Sequence, residues 1–141
     1  MNDKYVLLVE DNPDDVTLTE IAFRKVQIPN RLKVAKDGQE ALDILFGAKK
    51  QVEGDLAEMP ALVLLDLKLP YISGLEVLKE IKTDIRTRQI PVIVMTSSIE
   101  DSDKNESYRL GADDFISKPT GYSRLIETMR KIKAEWLGSN D

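Results

Sequence analysis

Residues 62–70, Leu62-Val63-Leu64-Leu65-Asp66-Leu67-Lys68-Leu69-Pro70, join an unbroken apolar run to an aspartate and then to a loop closed by proline. The run shows no polar alternation, so a strand built from it is buried on both faces, as in the interior of a parallel sheet. A carboxylate directly behind such a strand stands at its carboxyl end, the edge where open α/β sheets gather functional groups. Two further runs read the same way. Tyr5-Val6-Leu7-Leu8-Val9 is followed by Glu10 and Asp11, and Val92-Ile93-Val94-Met95 by Thr96. Arg31-Leu32-Lys33-Val34-Ala35 alternates and Phe115-Ile116 is brief, so these two suit the sheet edges. Lys118 follows the second of them closely.

Stretches with helical periodicity separate the runs. Asn12-Pro13 followed by Asp14 and Asp15 supplies an N-cap, a first-turn proline and two acids facing the helix dipole. Leu18, Ile21, Ala22 and Val26 are read as its apolar face. Asp37 with Glu40 and Ser73 with Glu76 have capping-box spacing or its acidic analogue. Gly47 and Gly111 suit helix stops. Glu100 to Leu110 is a helix candidate with few apolar anchors (Ile99, Tyr108 and Leu110), and is expected near the surface. Leu125, Met129, Ile132 and Trp136 form one stripe of a last helix ending near Leu137. Gly47 to Met59 is polar and aperiodic, a long surface connection. Strict alternation of five strands and five helices predicts an α/β domain with a parallel sheet.

Bulk composition bounds the chemistry. A chain of 141 residues fits one domain, with a core over about 4–137 and a tail at 138–141. There is no cysteine and no histidine, which excludes disulfides, thiol catalysis and imidazole ligands or bases. Any phosphohistidine must therefore belong to a partner. With 20 Lys+Arg against 25 Asp+Glu the net charge is −5, giving no electrostatic reason to expect nucleic-acid binding. The apolar runs are too short to span a bilayer and the start lacks a signal peptide's regions, so a cytoplasmic protein with no membrane association is expected.

Glu10, Asp11 and Asp66 thus converge on one sheet edge with Thr96 and Lys118. Three carboxylates together repel one another unless a positive charge intervenes. Oxygen donors suit a hard divalent cation, and Mg²⁺ takes one or two carboxylates while bridging to phosphate oxygens. Lys118 supplies a compact ammonium and Thr96 a hydroxyl donor. A carboxylate nucleophile with charge-neutralising partners is what phosphoryl transfer requires of a protein.

Val9-Glu10-Asp11-Asn12, Leu65-Asp66-Leu67-Lys68-Leu69-Pro70, Met95-Thr96-Ser97 and Lys118-Pro119 together resemble the signature blocks of the two-component response-regulator receiver family, in order and in spacing, over nearly the whole chain. The resemblance implies a flavodoxin-like, doubly wound five-stranded parallel sheet of order 2-1-3-4-5. It implies that Asp66 is the phosphoacceptor and that Mg²⁺ is held by Asp11, by Glu10 through water, by Asp66 and by the Lys68 backbone carbonyl. It further implies that Thr96 bonds a phosphoryl oxygen, that Lys118 pairs with Asp66 or the phosphate, that Lys118-Pro119 is cis, and that Phe115 holds the aromatic switch position. Glu10 stands where aspartate is more usual, Ser73 where an acid often precedes Gly74, and Phe115 has no hydroxyl. Thr96-Ser97-Ser98, the 47–59 connection and Glu135-Trp136-Leu137 are similar to the single-domain regulators that partner bacterial phytochromes. The implied partners are a sensor histidine kinase, of phytochrome type, or a phosphotransfer protein, with a homodimer through the last helix and fifth strand. The readout is then a partner, a dimer or onward phosphotransfer, since no output domain is expected after the last helix.

Blander readings stand beside these. Asp11 also suits a helix start, Asp66 a turn, Thr96 and Ser97 caps for the next helix, Lys118 a solvated loop, and Phe115 the core. A Mg²⁺-dependent phosphohydrolase with an aspartyl-phosphate intermediate would use the same edge. Such enzymes usually place an acid two positions beyond the nucleophile, where this chain has Lys68. A nucleotide-binding module lacks its glycine-rich loop after the first strand.

Overall fold

The computed structural model describes residues 4–47, 59–98 and 100–138. Five strands, β1 (Val6–Val9), β2 (Leu32–Ala35), β3 (Leu62–Leu65), β4 (Val92–Thr96) and β5 (Asp114–Ser117), form one parallel sheet of order β2-β1-β3-β4-β5. Helices α1 (Pro13–Lys25), α2 (Gly38–Phe46), α3 (Gly74–Thr83), α4 (Asp101–Arg109) and α5 (Tyr122–Ile132) alternate with the strands, and a π-helical turn, Lys133–Leu137, continues α5. Both the predicted order and the α/β alternation are borne out. The polar connection expected over 47–59 falls largely outside the described residues, as does Ile99.

Strand side chains alternate between two cores. Leu7, Val9, Val63, Leu65, Val92 and Val94 face α2 and α3, meeting Ala41, Leu45, Val77, Leu78 and Ile81. Val6, Leu8, Leu62, Leu64, Ile93 and Met95 face α1 and α5, meeting Ala22, Phe23, Leu125, Met129 and Ile132. All residues of β1, β3 and β4 are buried, which is why those strands are apolar up to Thr96 at the end of β4. The edge strands β2 and β5 keep only partial cover, in keeping with their mixed composition.

The inner face of α1 differs from its sequence reading. Thr19, Ala22, Phe23 and Val26 are buried, whereas Leu18 and Ile21 are 43% and 36% exposed. Spacings of three and four residues hold for this set too. The helix is rotated about one residue so that Phe23, the bulkiest of its apolar side chains, enters the core shared with α5. The caps behave as expected. Asn12 Oδ1 accepts from the N–H groups of Asp14 and Asp15, Asp37 Oδ1 from Glu40 N–H, and Ser73 Oγ from Glu76 N–H. By contrast α4 buries only Ser107, and Tyr108 is 44% exposed, so this helix has little apolar anchorage.

Gly74 fixes how closely α3 approaches the loop after β3. Its N–H donates to Leu67 O at 2.9 Å, and a Cβ there would lie 2.3 Å from the Asp66 carbonyl oxygen. Only a residue without that carbon allows the contact. Gly111, with φ +109°, ends α4 in a backbone region that side chains disfavour.

Candidate functional site

Parallel pairing sets the site. Val9 pairs with Leu65 across β1 and β3, so Glu10 and Asp66 leave neighbouring strand ends side by side. Asp66 N–H donates to Val9 O at 3.1 Å and Glu10 N–H to Ala35 O at 2.9 Å, extending the ladder one residue into the acidic edge. Both side chains are largely buried, each residue being 4% exposed. Asp11, by contrast, is exposed. One carboxylate oxygen from each of Glu10, Asp11 and Asp66 lies within 4.8 Å of the others. Such an all-oxygen set fits a hard divalent cation. These three acids could hold such a cation, and Lys68, whose backbone carbonyl the family resemblance adds as a ligand, lines the same cleft.

Lys118 brings β5 into the group. Its backbone N–H donates to Thr96 O at 2.9 Å, and its Nζ donates to Asp15 Oδ2 at 2.8 Å. The same Nζ lies 2.9 Å from both Glu10 Oε1 and Asp66 Oδ2. An ammonium has three donors, and here three carboxylates take them. Burial alone would pull the Lys118 pKa down, but the hydrogen bonds to Asp15, Glu10 and Asp66 outweigh it and hold the group above an ordinary lysine. For Glu10 burial dominates and raises the carboxyl pKa. The Asp66 charge adds to that, and the Lys118 hydrogen bond works against it.

The loop after Asp66 is organised by the same residue. Lys68 N–H donates to Asp66 Oδ1 at 3.1 Å, so one acceptor oxygen orients the loop while the other faces Lys118. The chain then turns through Tyr71, a left-handed residue with φ 70° that is 92% exposed. Glu10, Asp11, Asp66, Lys68, Ser97 and Lys118 line an open cleft above this edge. The cleft therefore opens Asp66 to solvent although the residue itself is largely covered.

Of the residues singled out in the sequence, the structure brings Glu10, Asp11, Asp66 and Lys118 together. Thr96 stands at the end of β4 but is fully buried, and its Oγ1 accepts from Ser98 N–H at 3.3 Å. The cap of α4 is not built by Thr96 or Ser97. Ser98 bridges that turn, its Oγ donating to Asp103 Oδ2 at 2.5 Å and accepting from Glu100 N–H at 3.4 Å. Phe115 is partly buried and packs against the core on the α2–α3 side, away from the carboxylates. The cis bond implied at Lys118-Pro119 is absent: no cis peptide occurs among the described residues. Trans is the intrinsically favoured form, and with it Nζ already reaches all three acids. In the sequence, Asp15 is a dipole-facing acid of the first helical turn. The structure makes it a partner of Lys118.

A model of the response regulator receiver domain matches residues 6–130. The chain belongs to the receiver-domain family of two-component response regulators. The receiver is 39% identical over 135 residues to the probable methanogenesis regulatory protein FilR2 of Methanothrix harundinacea, covering 96% of this chain and 84% of that one. It is 34% identical over 134 residues to the response regulator Rcp1 of Synechocystis, covering 95% and 89%. Among solved structures, the phosphorylated cyanobacterial phytochrome response regulator RcpA superposes with a TM-score of 0.86 at 36% identity, over 99% of this chain and 98% of that one. The Mn²⁺-bound form of Rcp1 gives 0.84 at 32% identity over the same shares. The receiver is thus a signalling domain of a two-component system, and its acidic edge is of the kind that takes a divalent cation. No helix among the described residues is long and apolar enough to cross a membrane.

Proposed function

We propose that Asp66 is the phosphoacceptor and that the receiver takes its phosphoryl group from a phosphohistidine on a partner kinase of phytochrome type, or on a phosphotransfer protein. The observation that carries this is the placement of the Asp66 carboxylate. It lies at a strand end, 2.9 Å from the Lys118 ammonium, with two further acids in reach and an open cleft above. One Asp66 oxygen attacks phosphorus, the P–N bond to the donor imidazole breaks, and an acyl phosphate remains. Asp11, Asp66, the Lys68 carbonyl and, through water, Glu10 would hold Mg²⁺, which would neutralise charge on the transferring oxygens. Lys118 pairs with the phosphoryl group as that charge arrives, and Thr96, whose Oγ1 accepts from Ser98 N–H, keeps its hydroxyl proton to donate to it.

Phosphorylation puts new negative charge beside Thr96 and Lys118, both tied to β4 and β5. The weakly anchored α4, with Phe115 on β5, is the surface that responds. Output is then binding to a partner or to a second copy through α5 and β5 in the cytoplasm, and the domain hydrolyses its own acyl phosphate slowly. A phytochrome-type kinase is favoured because RcpA and Rcp1, which match nearly end to end, are response regulators and RcpA is a phytochrome one.

The test is incubation with acetyl phosphate and Mg²⁺ followed by intact-mass measurement. The parent gains one phosphoryl group and Asp66→Ala none. Labelling of Asp66→Ala, or consumption of the donor by Asp66→Ala at the parent's rate, would overturn the assignment.

A further inference from the structure

The Lys118 ammonium occupies ground that a cation would need. Its Nζ lies 2.9 Å from Glu10 Oε1 and 2.9 Å from Asp66 Oδ2, two of the three acids that form the oxygen cluster. A divalent cation drawn to those oxygens repels the ammonium, so the two compete for the same carboxylates. The third acceptor of Lys118 is different in kind. Asp15 lies outside the Glu10-Asp11-Asp66 cluster, on the first turn of α1, and its Oδ2 accepts from Nζ at 2.8 Å. Its backbone is fixed because Asn12 Oδ1 accepts from Asp15 N–H at 3.2 Å, and Asp14 N–H shares that acceptor at 2.9 Å. Its side chain is only 38% exposed.

We propose that Asp15 is a positioning residue for Lys118: the carboxylate that retains the ammonium as a divalent cation takes over Glu10 and Asp66. Asp15 has no part in holding the ion, so the ammonium keeps one strong acceptor in both states. Without Asp15, all of the ammonium's side-chain bonds fall on groups that the cation also claims. The cation-free state is then favoured and affinity falls. Asp15 therefore raises cation affinity through Lys118, and it keeps the ammonium close to where phosphoryl oxygens arrive.

This inference rests on the cation-site reading of Glu10, Asp11 and Asp66, and one experiment separates the two. Mg²⁺ binding is measured by titration calorimetry at fixed ionic strength for the parent, Asp15→Ala, Lys118→Met and the double variant, with far-UV circular dichroism confirming the fold. Asp15→Ala is expected to weaken binding about five-fold in the parent and to have less than about a two-fold effect in the Lys118→Met background. Equal weakening in both backgrounds would mean that Asp15 acts as a plain nearby charge, and would overturn the proposal. So would unchanged affinity in both. Asp15→Asn serves the same cycle if the alanine variant loses helix content. Asp11→Asn, run alongside, tests the cation site itself: if Mg²⁺ binds it as tightly as the parent, that site reading fails whatever Asp15 does.

Discussion

Replacing Gly74 by alanine adds one methyl group where α3 meets the loop carrying the phosphoacceptor. That carbon would lie 2.3 Å from the Asp66 carbonyl oxygen and 2.5 Å from the Leu67 Cα. Both are backbone atoms of the segment running out of a fully buried strand, so neither can rotate aside. Ordinary contact needs about 3.4 Å, so the first turn of α3 must retreat by about 1 Å. The retreat strains the Gly74 N–H bond to Leu67 O and loosens Val77 and Leu78, which are fully buried. Overpacking of this kind costs about 1–3 kcal/mol and the weakened hydrogen bond about 1 kcal/mol, against a helix-propensity gain below about 1 kcal/mol. A net loss of about 2 kcal/mol follows, equivalent to about 1 M in urea midpoint at an m-value of about 2 kcal/mol/M. Asp66 sits at the contact, so the acetyl phosphate labelling rate should fall as well, even under conditions where the variant is fully folded. Gly121→Ala separates strain from clash: a Cβ there meets nothing within 4 Å, but its φ of +90° and ψ of 153° lie in a region essentially reserved for glycine, at a cost of about 1–3 kcal/mol, and since the position is away from the Asp66 contact the labelling rate of the folded variant should stay at the parent value. A Gly74→Ala variant within about 0.5 kcal/mol of the parent, labelling at the parent rate, would refute the close-approach reasoning.

Lys118→Met removes the ammonium from two carboxylates that are each in residues only 4% exposed, and should destabilise the cation-free receiver by about 3 kcal/mol at neutral pH. In urea melts that deficit should shrink with saturating Mg²⁺ and with falling pH, both of which relieve the unpaired carboxylates. Because burial raises the Glu10 pKa, its proton competes with the cation at a pH where an ordinary carboxyl is already ionised. Mg²⁺ affinity should therefore climb with pH through the weakly acidic range, with proton release detectable by calorimetry in buffers of different ionisation enthalpy and lost in Glu10→Gln. For the cation-free protein the sign is opposite: Glu10 contributes stability below its unfolded pKa and loses it as pH rises through its folded one. Lys68 lines the cleft two residues beyond Asp66, and on the proposed role of Asp66 it should slow the attack of hydrolytic water. Lys68→Ala should lose its acyl phosphate faster than the parent, and identical decay rates would remove that role.

Most of the architecture was legible because parallel strands buried on two faces leave an unmistakable trace: Val6 to Val9, Leu62 to Leu65 and Val92 to Met95 contain nothing polar. Alternation in Leu32 to Ala35 marked an edge for the same reason. The orientation of α1 was less legible. Its apolar residues Leu18, Ile21, Ala22, Phe23 and Val26 spread over more than one face, and the face that wins is chosen by α5, about a hundred residues away in the chain. Local periodicity offers candidates, and tertiary packing selects among them. The turn before α4 shows a similar limit. Thr96 and Ser97 both suit a cap, but β4 ends deep enough that Thr96 is fully buried, the helix takes Glu100 as its N-cap residue with no side-chain cap bond, and Ser98 instead ties the turn to Asp103.

At the site, Glu10, Asp11, Asp66 and Lys118 could be identified because each follows its strand closely, and a parallel sheet brings strand ends together whatever their separation in sequence. Asp15 could not be found that way. An acid in the first turn of a helix is already explained by the dipole and the cap, so nothing local asks for a second role. Its bond to Lys118 spans 103 positions, and it arises because α1 crosses the same sheet edge that β5 reaches. The charges themselves held a clue. Three carboxylates at a strand edge with one lysine leave the lysine no acceptor that a bound cation does not also want, and a fourth acid near the start of α1 supplies one. Lys118 has to hold its place both before and after a cation arrives, so an acceptor outside the ion's own ligands should matter wherever a receiver uses one ammonium to serve both states.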